Sequence, residues 1–130
     1  MIESGVVSLI KADTDLATVV GGQIYPVIVP ATASYPCLSY HTMSKPPEVA
    51  LDRSAQETAR IQIDCWGLSY GSVKALQQKI HTLLDGFQGI CPDGTDISLC
   101  VRDVEADYWE SDAKVFRAMS EYLIEYPSGQ

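Results

Sequence analysis

Residues 58–87 read TARIQIDCWGLSYGSVKALQQKIHTLLDGF, and the fold turns on this stretch. Its first half alternates Ala59, Ile61, Ile63 and Cys65 against Arg60, Gln62, Asp64 and Trp66, the period of two that puts one set on each face of a β-strand. The second half changes period. Val73, Leu76, Ile80, Leu83, Leu84 and Phe87 fall on one stripe of an α-helix that Ser69 can cap and Gly86 can end. Gln77, Gln78, Lys79 and Thr82 fall on its wet side, and His81 on its polar side. A strand feeding a helix, with an apolar side on each, predicts a sheet with helices packed on one face.

Working toward the N-terminus, residues 44–56 contain two adjacent prolines and no sustained period, which predicts a long connection or arm. Before it, residues 36–43 alternate Cys37, Ser39, His41 and Met43 against Leu38, Tyr40 and Thr42, a second strand. Residues 23–29 are extended but carry Pro26, which confines them to an edge. Ile2, Val6, Leu9 and Ile10 recur at helical spacing, and Asp13 can cap a short second helical turn ended by Gly21 and Gly22. Toward the C-terminus, residues 93–96 have turn chemistry, and residues 97–107 read as a strand with Ile97, Leu99 and Val101 inward. Residues 108–112 read as a loop, and residues 114–126 as a long last strand. That strand has Phe116, Ala118, Ser120, Tyr122, Ile124 and Tyr126 on one face, and Val115, Met119 and Leu123 mixed with Arg117, Glu121 and Glu125 on the other. Apolar residues on both faces predict that the second face is also partly covered, most simply by a neighbouring subunit.

The fold class is therefore α+β: a mostly antiparallel sheet of four to five strands with two main helices on one face, within a single domain over residues 1–130. The core draws on Leu9, Ile10, Ile61, Ile63, Leu76, Ile80, Leu83, Leu84, Phe87, Leu99, Val101, Tyr122 and Ile124.

Composition excludes several functions. Nine Lys and Arg against 17 Asp and Glu give a net charge of −8, the wrong sign for gripping phosphate backbones. No run approaches the roughly 18 apolar residues of a membrane span. The first residues lack the basic segment of a signal peptide, so export by that route is not expected. Cys37, Cys65, Cys91 and Cys100 form no C-x-x-C pair and match no zinc spacing with His41 or His81. Reduced, buried thiols are the reading, with disulfides open only to an oxidising compartment. The acidic run from Asp103 to Asp112 fails as a calcium loop, because Tyr108 and Lys114 stand where Gly and a bidentate Glu are required. No nucleophile motif, zinc-protease motif or phosphate-cradling glycine loop is present, and the alternation of Cys65 with Ile61 and Ile63 puts it in the core. Neither enzymatic activity nor a cofactor is expected. The residues suited to contacts are Lys45, Val49, Leu51, Asp52 and Arg53 on the 44–56 arm, the aromatics Tyr108 and Trp109, and Arg117, Met119 and Glu121 on the mixed face of the last strand.

The order of motifs resembles a known family. A short N-terminal helix is followed by Leu16-Ala17, then Val20-Gly21-Gly22-Gln23-Ile24-Tyr25-Pro26, then Pro36-Cys37-Leu38-Ser39-Tyr40. After these come Arg60-Ile61-Gln62-Ile63-Asp64-Cys65-Trp66, Ser69-Tyr70 and Leu84-Asp85-Gly86-Phe87. Over nearly the whole chain this succession resembles the tail completion, or tail terminator, proteins that join tail to head in long-tailed bacteriophages and prophages. The resemblance implies a non-enzymatic virion assembly protein, made in the host bacterial cytoplasm and placed at the head-proximal end of the tail. Its partners would be further copies of itself in a hexameric ring, the tail tube protein and a head-completion or connector protein. The genome would pass through without specific binding, and no membrane is involved. The rival readings are a small-molecule-binding or enzymatic α+β domain with a pocket near His41 and Cys65, and an adaptor of another tube-like secretion assembly.

Overall fold

The structure, a computed structural model, describes residues 1–46 and 56–129. Along the chain run α1 (Ile2–Ala12), α2 (Thr14–Val20), β1 (Ile24–Pro26), β2 (Cys37–Ser44), β3 (Gln56–Gly67), α3 (Tyr70–Leu84), β4 (Gly89–Ile90), β5 (Asp96–Ile97), β6 (Leu99–Glu110) and β7 (Val115–Pro127). The main sheet has five strands in the order β1-β2-β3-β7-β6, and β4 and β5 form a separate two-stranded ribbon. Only β1 runs parallel to its neighbour in the main sheet; the other pairs are antiparallel.

Local chemistry sets the element ends. The Asp13 carboxylate accepts a hydrogen bond from the Leu16 N–H at 3.0 Å, which starts α2, and Gly21 ends it at φ +57°, a conformation that glycine adopts without strain. The Ser69 hydroxyl accepts from the Ser72 N–H at 3.2 Å and starts α3. Beyond α3, the Gly86 N–H donates to the Cys100 carbonyl at 2.7 Å and the Cys100 N–H donates to the Phe87 carbonyl at 2.9 Å, so the helix exit is latched to the start of β6.

The core lies between the helices and one face of the sheet. Across the two central strands Ala59 faces Ile124, Ile61 faces Tyr122, Ile63 faces Ser120 and Cys65 faces Ala118, and all eight are buried. Leu38 of β2, the Val73, Leu76, Ile80 and Leu84 stripe of α3, and Ile2, Val6, Leu9 and Ile10 of α1 close over them. All four cysteines are free and buried.

Four expectations change. Leu99 and Val101 are only half-buried, and Cys100 is the buried residue of that segment. Ile97 belongs to the ribbon with β4, so alternation restarts after Ser98 and brings Cys100 opposite the inward-facing Ile124. Tyr108 and Trp109 are not in a loop. The β6–β7 ladder continues through Tyr108↔Arg117, Trp109↔Phe116 and Glu110↔Val115, held by cross-strand aromatic pairing, and the chain turns after Glu110. Gln77 and His81 are buried, because polar partners from β6 and β7 meet them. Leu83 and Phe87 pack against the core as partly buried neighbours.

Candidate functional site

The helices contact the face of the sheet that carries Ile61, Ile63 and Tyr122. The opposite, outer face carries Arg60, Gln62, Asp64 and Trp66 from β3, with Arg117, Met119, Glu121, Leu123 and Glu125 beside them on β7. No helix among the described residues lies on it; its own long side chains pave it. The Trp66 indole N–H donates to the Ser39 hydroxyl at 2.9 Å. The Arg117 guanidinium sits 4.2 Å from the centre of the Tyr108 ring and 5.5 Å from that of Trp66, a cation–π arrangement on both sides. Arg117 Nε donates to Glu110 at 2.8 Å, and its Nη1 reaches Asp64 at 3.4 Å. A second guanidinium, Arg60, bridges Asp103 at 2.6 Å and Glu121 at 3.0 Å.

These contacts hold the surface in one arrangement. Burial pushes the Asp64 carboxyl above the ordinary aspartate range against the pull of Gln62 and Arg117. Burial also works against the charge of Arg117, but its bond to Glu110 and the field of Asp64 outweigh that, and its pKa rises. At neutral pH Arg117 is therefore a fixed cation between carboxylates. Below this cluster, Leu99, Val101 and Leu123 form a half-buried aliphatic strip, with Val104 39% and Tyr108 43% exposed.

The fold thus brings Tyr108, Arg117, Met119 and Glu121 together on one face, with Met119 buried beneath the others. Trp109 points to the helix side, its ring 4.8 Å from Phe116, which in turn meets Tyr70 edge-on at 6.0 Å. Lys45 is on the far side of the sheet, past β2, where it pairs with Glu3 of α1 at 3.0 Å. Val49, Leu51, Asp52 and Arg53 lie outside the described residues. Trp66, Arg60, Asp64, Asp103 and Glu110 complete the outer face without having been singled out. The alternation of β3 already placed the first three on one side, but only the register between strands shows which carboxylate meets which guanidinium.

A second polar array runs between α3 and the helix-facing side of the β6–β7 hairpin, exposed at Tyr70 and buried at His81. Tyr70, Lys74, Gln77 and His81, spaced along one side of α3, meet Asp107, Ser120, Tyr122 and Glu105 of the hairpin. Tyr70 and Lys74 both bond Asp107 at 2.8 and 3.1 Å, and Gln77 donates to Ser120 at 2.9 Å. His81 Nδ1 bonds the Tyr122 hydroxyl, and Nε2 lies 2.5 Å from Glu105 without hydrogen-bond alignment. This array clamps the hairpin to the helix.

His41 and Cys65 do not converge on one pocket. His41 faces outward on β2 opposite Gln62, whereas Cys65 is buried on the inner face, and burial holds its thiol far above the ordinary range and so protonated. Among the described residues no group of three or more His, Cys, Asp or Glu is placed to hold a metal ion, and no helix is long and apolar enough to cross a membrane.

Stacked paving, exposed aromatics and a helix-clamped hairpin define a small α+β domain that presents formed contact surfaces. Over residues 4–126 the sequence matches the family model described as "Tail completion protein gp17", and the chain belongs to this family. It is accordingly a non-enzymatic phage tail-completion protein, a structural component of the virion tail that interacts with tail and head components. Among solved structures the fold matches a chain of the "Virion of native gene transfer agent (GTA) particle" with a TM-score of 0.74 and 14% identity, over 97% of this chain and 94% of that one. No curated protein matches by sequence.

Proposed function

We propose that the chain, acting as one unit over residues 1–130, closes the head-proximal end of the phage tail tube as a ring of six copies and offers that ring to the head connector. The observation that carries this reading is the family match over residues 4–126. Physical features support it. A ring needs heterologous contacts, in which two different patches of each subunit meet. Exposed large apolar residues gather in two separate places: Met1, Val27, Ile28 and Met43 beside the β1–β2 edge of the sheet, and Leu68, Tyr70 and Trp109 near the turn end of the β6–β7 hairpin. We assign the ring contact to these two places, and to Lys45, Val49, Leu51, Asp52 and Arg53 as further contact residues. The outer face with Tyr108, Arg117, Met119 and Glu121 is left for a different partner. An excess of carboxylates suits a subunit that DNA passes without being held.

The test is capping of purified tail tubes that lack this protein. Added chain should bind the tube end, stop its further growth and restore joining to filled heads. A chain that leaves tube growth and joining unchanged defeats the reading. Light scattering at high concentration adds the stoichiometry.

A further inference from the structure

The outer face of the sheet has a property that selects its partner: among the described residues, its guanidiniums leave no spare positive charge. Both guanidiniums on it are used internally, Arg60 by Asp103 and Glu121, and Arg117 by Glu110 and Asp64. Each is therefore neutralised in place and has little to offer an incoming carboxylate or phosphate. With Glu125 exposed on the same face, five carboxylates stand against two guanidiniums. The Asp103 and Glu110 side chains retain 38% and 36% exposure, so they still present acceptor lone pairs to solvent. The unfilled capacity is for hydrogen-bond donors carrying positive charge.

Shape and composition point the same way. Trp, Tyr and Arg are the residue types that dominate binding hot spots, and here Trp66 and Arg117 are already hydrogen-bonded, with Tyr108 and Trp66 both against the guanidinium. Little side-chain freedom remains to be lost on docking. Further along the same face, toward the other end of β6 and β7, Leu99, Val101, Val104 and Leu123 supply apolar area that no described element covers.

We propose that this face docks a protein surface in which lysines or arginines surround aliphatic side chains, supplied by a virion component other than this chain. A second copy fits less well, since it carries the same net charge of −8 and five of its eight described cations, Lys45, Arg60, Lys74, Arg102 and Arg117, are in ion pairs, which leaves Lys11, Lys79 and Lys114. A nucleic acid would meet carboxylates. The proposal rests on the tail-completion reading and adds to it which face meets the other component and with what charge.

The experiment uses the full chain with two probes, purified tail tubes lacking this protein and purified filled heads, together with a 20-base-pair duplex as control. Three forms are compared: wild type, Tyr108→Ala, and Glu125→Lys, which changes an exposed side chain and so leaves folding intact even if the first variant is destabilised. Circular dichroism checks the fold, and light scattering checks self-association. For one of the two probes, affinity of the wild type should drop about tenfold between about 50 and 300 mM salt, and each variant should bind it about tenfold more weakly at low salt while self-associating normally. Wild-type affinity of both variants for both probes overturns the proposal and leaves the tail-completion reading intact. Loss of self-association in the variants reassigns the face to a contact between copies, and duplex binding weakened by Tyr108→Ala reassigns it to nucleic acid; either overturns the proposal. If the wild type binds neither probe, the tail-completion reading itself falls, and the proposal falls with it.

Discussion

His81 is the side chain whose position most changes the chemistry of the molecule. Placed by spacing on the polar side of a helix, it is 5% exposed and wedged between the Tyr122 hydroxyl on β7 and Glu105 on β6, with Arg102 and the helix-end Asp85 near by. Burial opposes its protonation most strongly; Glu105 favours protonation and Arg102 opposes it, and the net effect is a pKa below the ordinary 6.5. As pH falls below the unfolded value, the unfolded chain takes up a proton that the folded chain refuses. Stability is therefore lost from about pH 6.5 down to the folded value, and no further below it. His81→Gln removes the titration and keeps a polar side chain. We expect the variant to cost about 1 kcal/mol at pH 7, where the imidazole bond is lost, and to show a flatter decline in urea midpoint between about pH 7 and 5. Equal slopes for variant and wild type would show that His81 does not titrate between the two states.

At the scale of elements, two helical glycines carry opposite predictions. In α1, a Cβ on Gly5 would meet Thr95 Cβ at 2.7 Å and Cγ2 at 2.9 Å, so the helix is seated against the turn before β5 through the absence of a side chain. In the first turn of α3, a Cβ on Gly71 would meet nothing within 4 Å. Gly71→Ala should stabilise the protein by about 0.5–1 kcal/mol through helix propensity. Gly5→Ala should lower stability by about 1–3 kcal/mol, because the overlap outweighs that same propensity. Thermal denaturation of the two variants decides it, and a gain at Gly5 would mean that α1 can shift away from Thr95. The same elements show what is legible in a sequence. The β3–α3 change of period, the Asp13 and Ser69 caps and the core positions Ile61, Ile63, Leu76, Ile80 and Leu84 are set by local spacing, and the structure has them as read. The phase of β6 is not local. It is reset once at Ser98 and again by the register shift between Arg102 and Val104, so alternation alone put Leu99 and Val101 inside and Cys100 outside. Nor did local spacing bury Gln77 and His81, since Ser120 and Tyr122, which they bond, are more than 40 residues away. The outer face was half legible: Arg117, Met119 and Glu121 share a strand face by simple alternation, whereas Tyr108 joined them only when β6 proved to extend past Asp107.

For the whole molecule, charge gives two associations of opposite salt dependence. Each copy carries a net −8, so bringing copies together works against a repulsion that acts over roughly a Debye length, about 10 Å at 0.1 M salt. The places assigned to the ring are led by apolar residues, Val27 and Ile28 at one and Trp109 and Tyr70 at the other, whose attraction does not depend on opposite charges. Added salt screens the repulsion and leaves the apolar term in place, so self-association should strengthen between about 20 and 300 mM salt. Docking of a cationic partner on the outer face should weaken over the same range, because there the screened term is the attraction. Light scattering at fixed protein concentration measures the first, and sedimentation with tail tubes or heads measures the second. Opposite slopes are the expected result. Self-association that weakens with salt would mean that charge pairs between copies hold the ring, and would move its contact from these apolar residues to the arginine–carboxylate face.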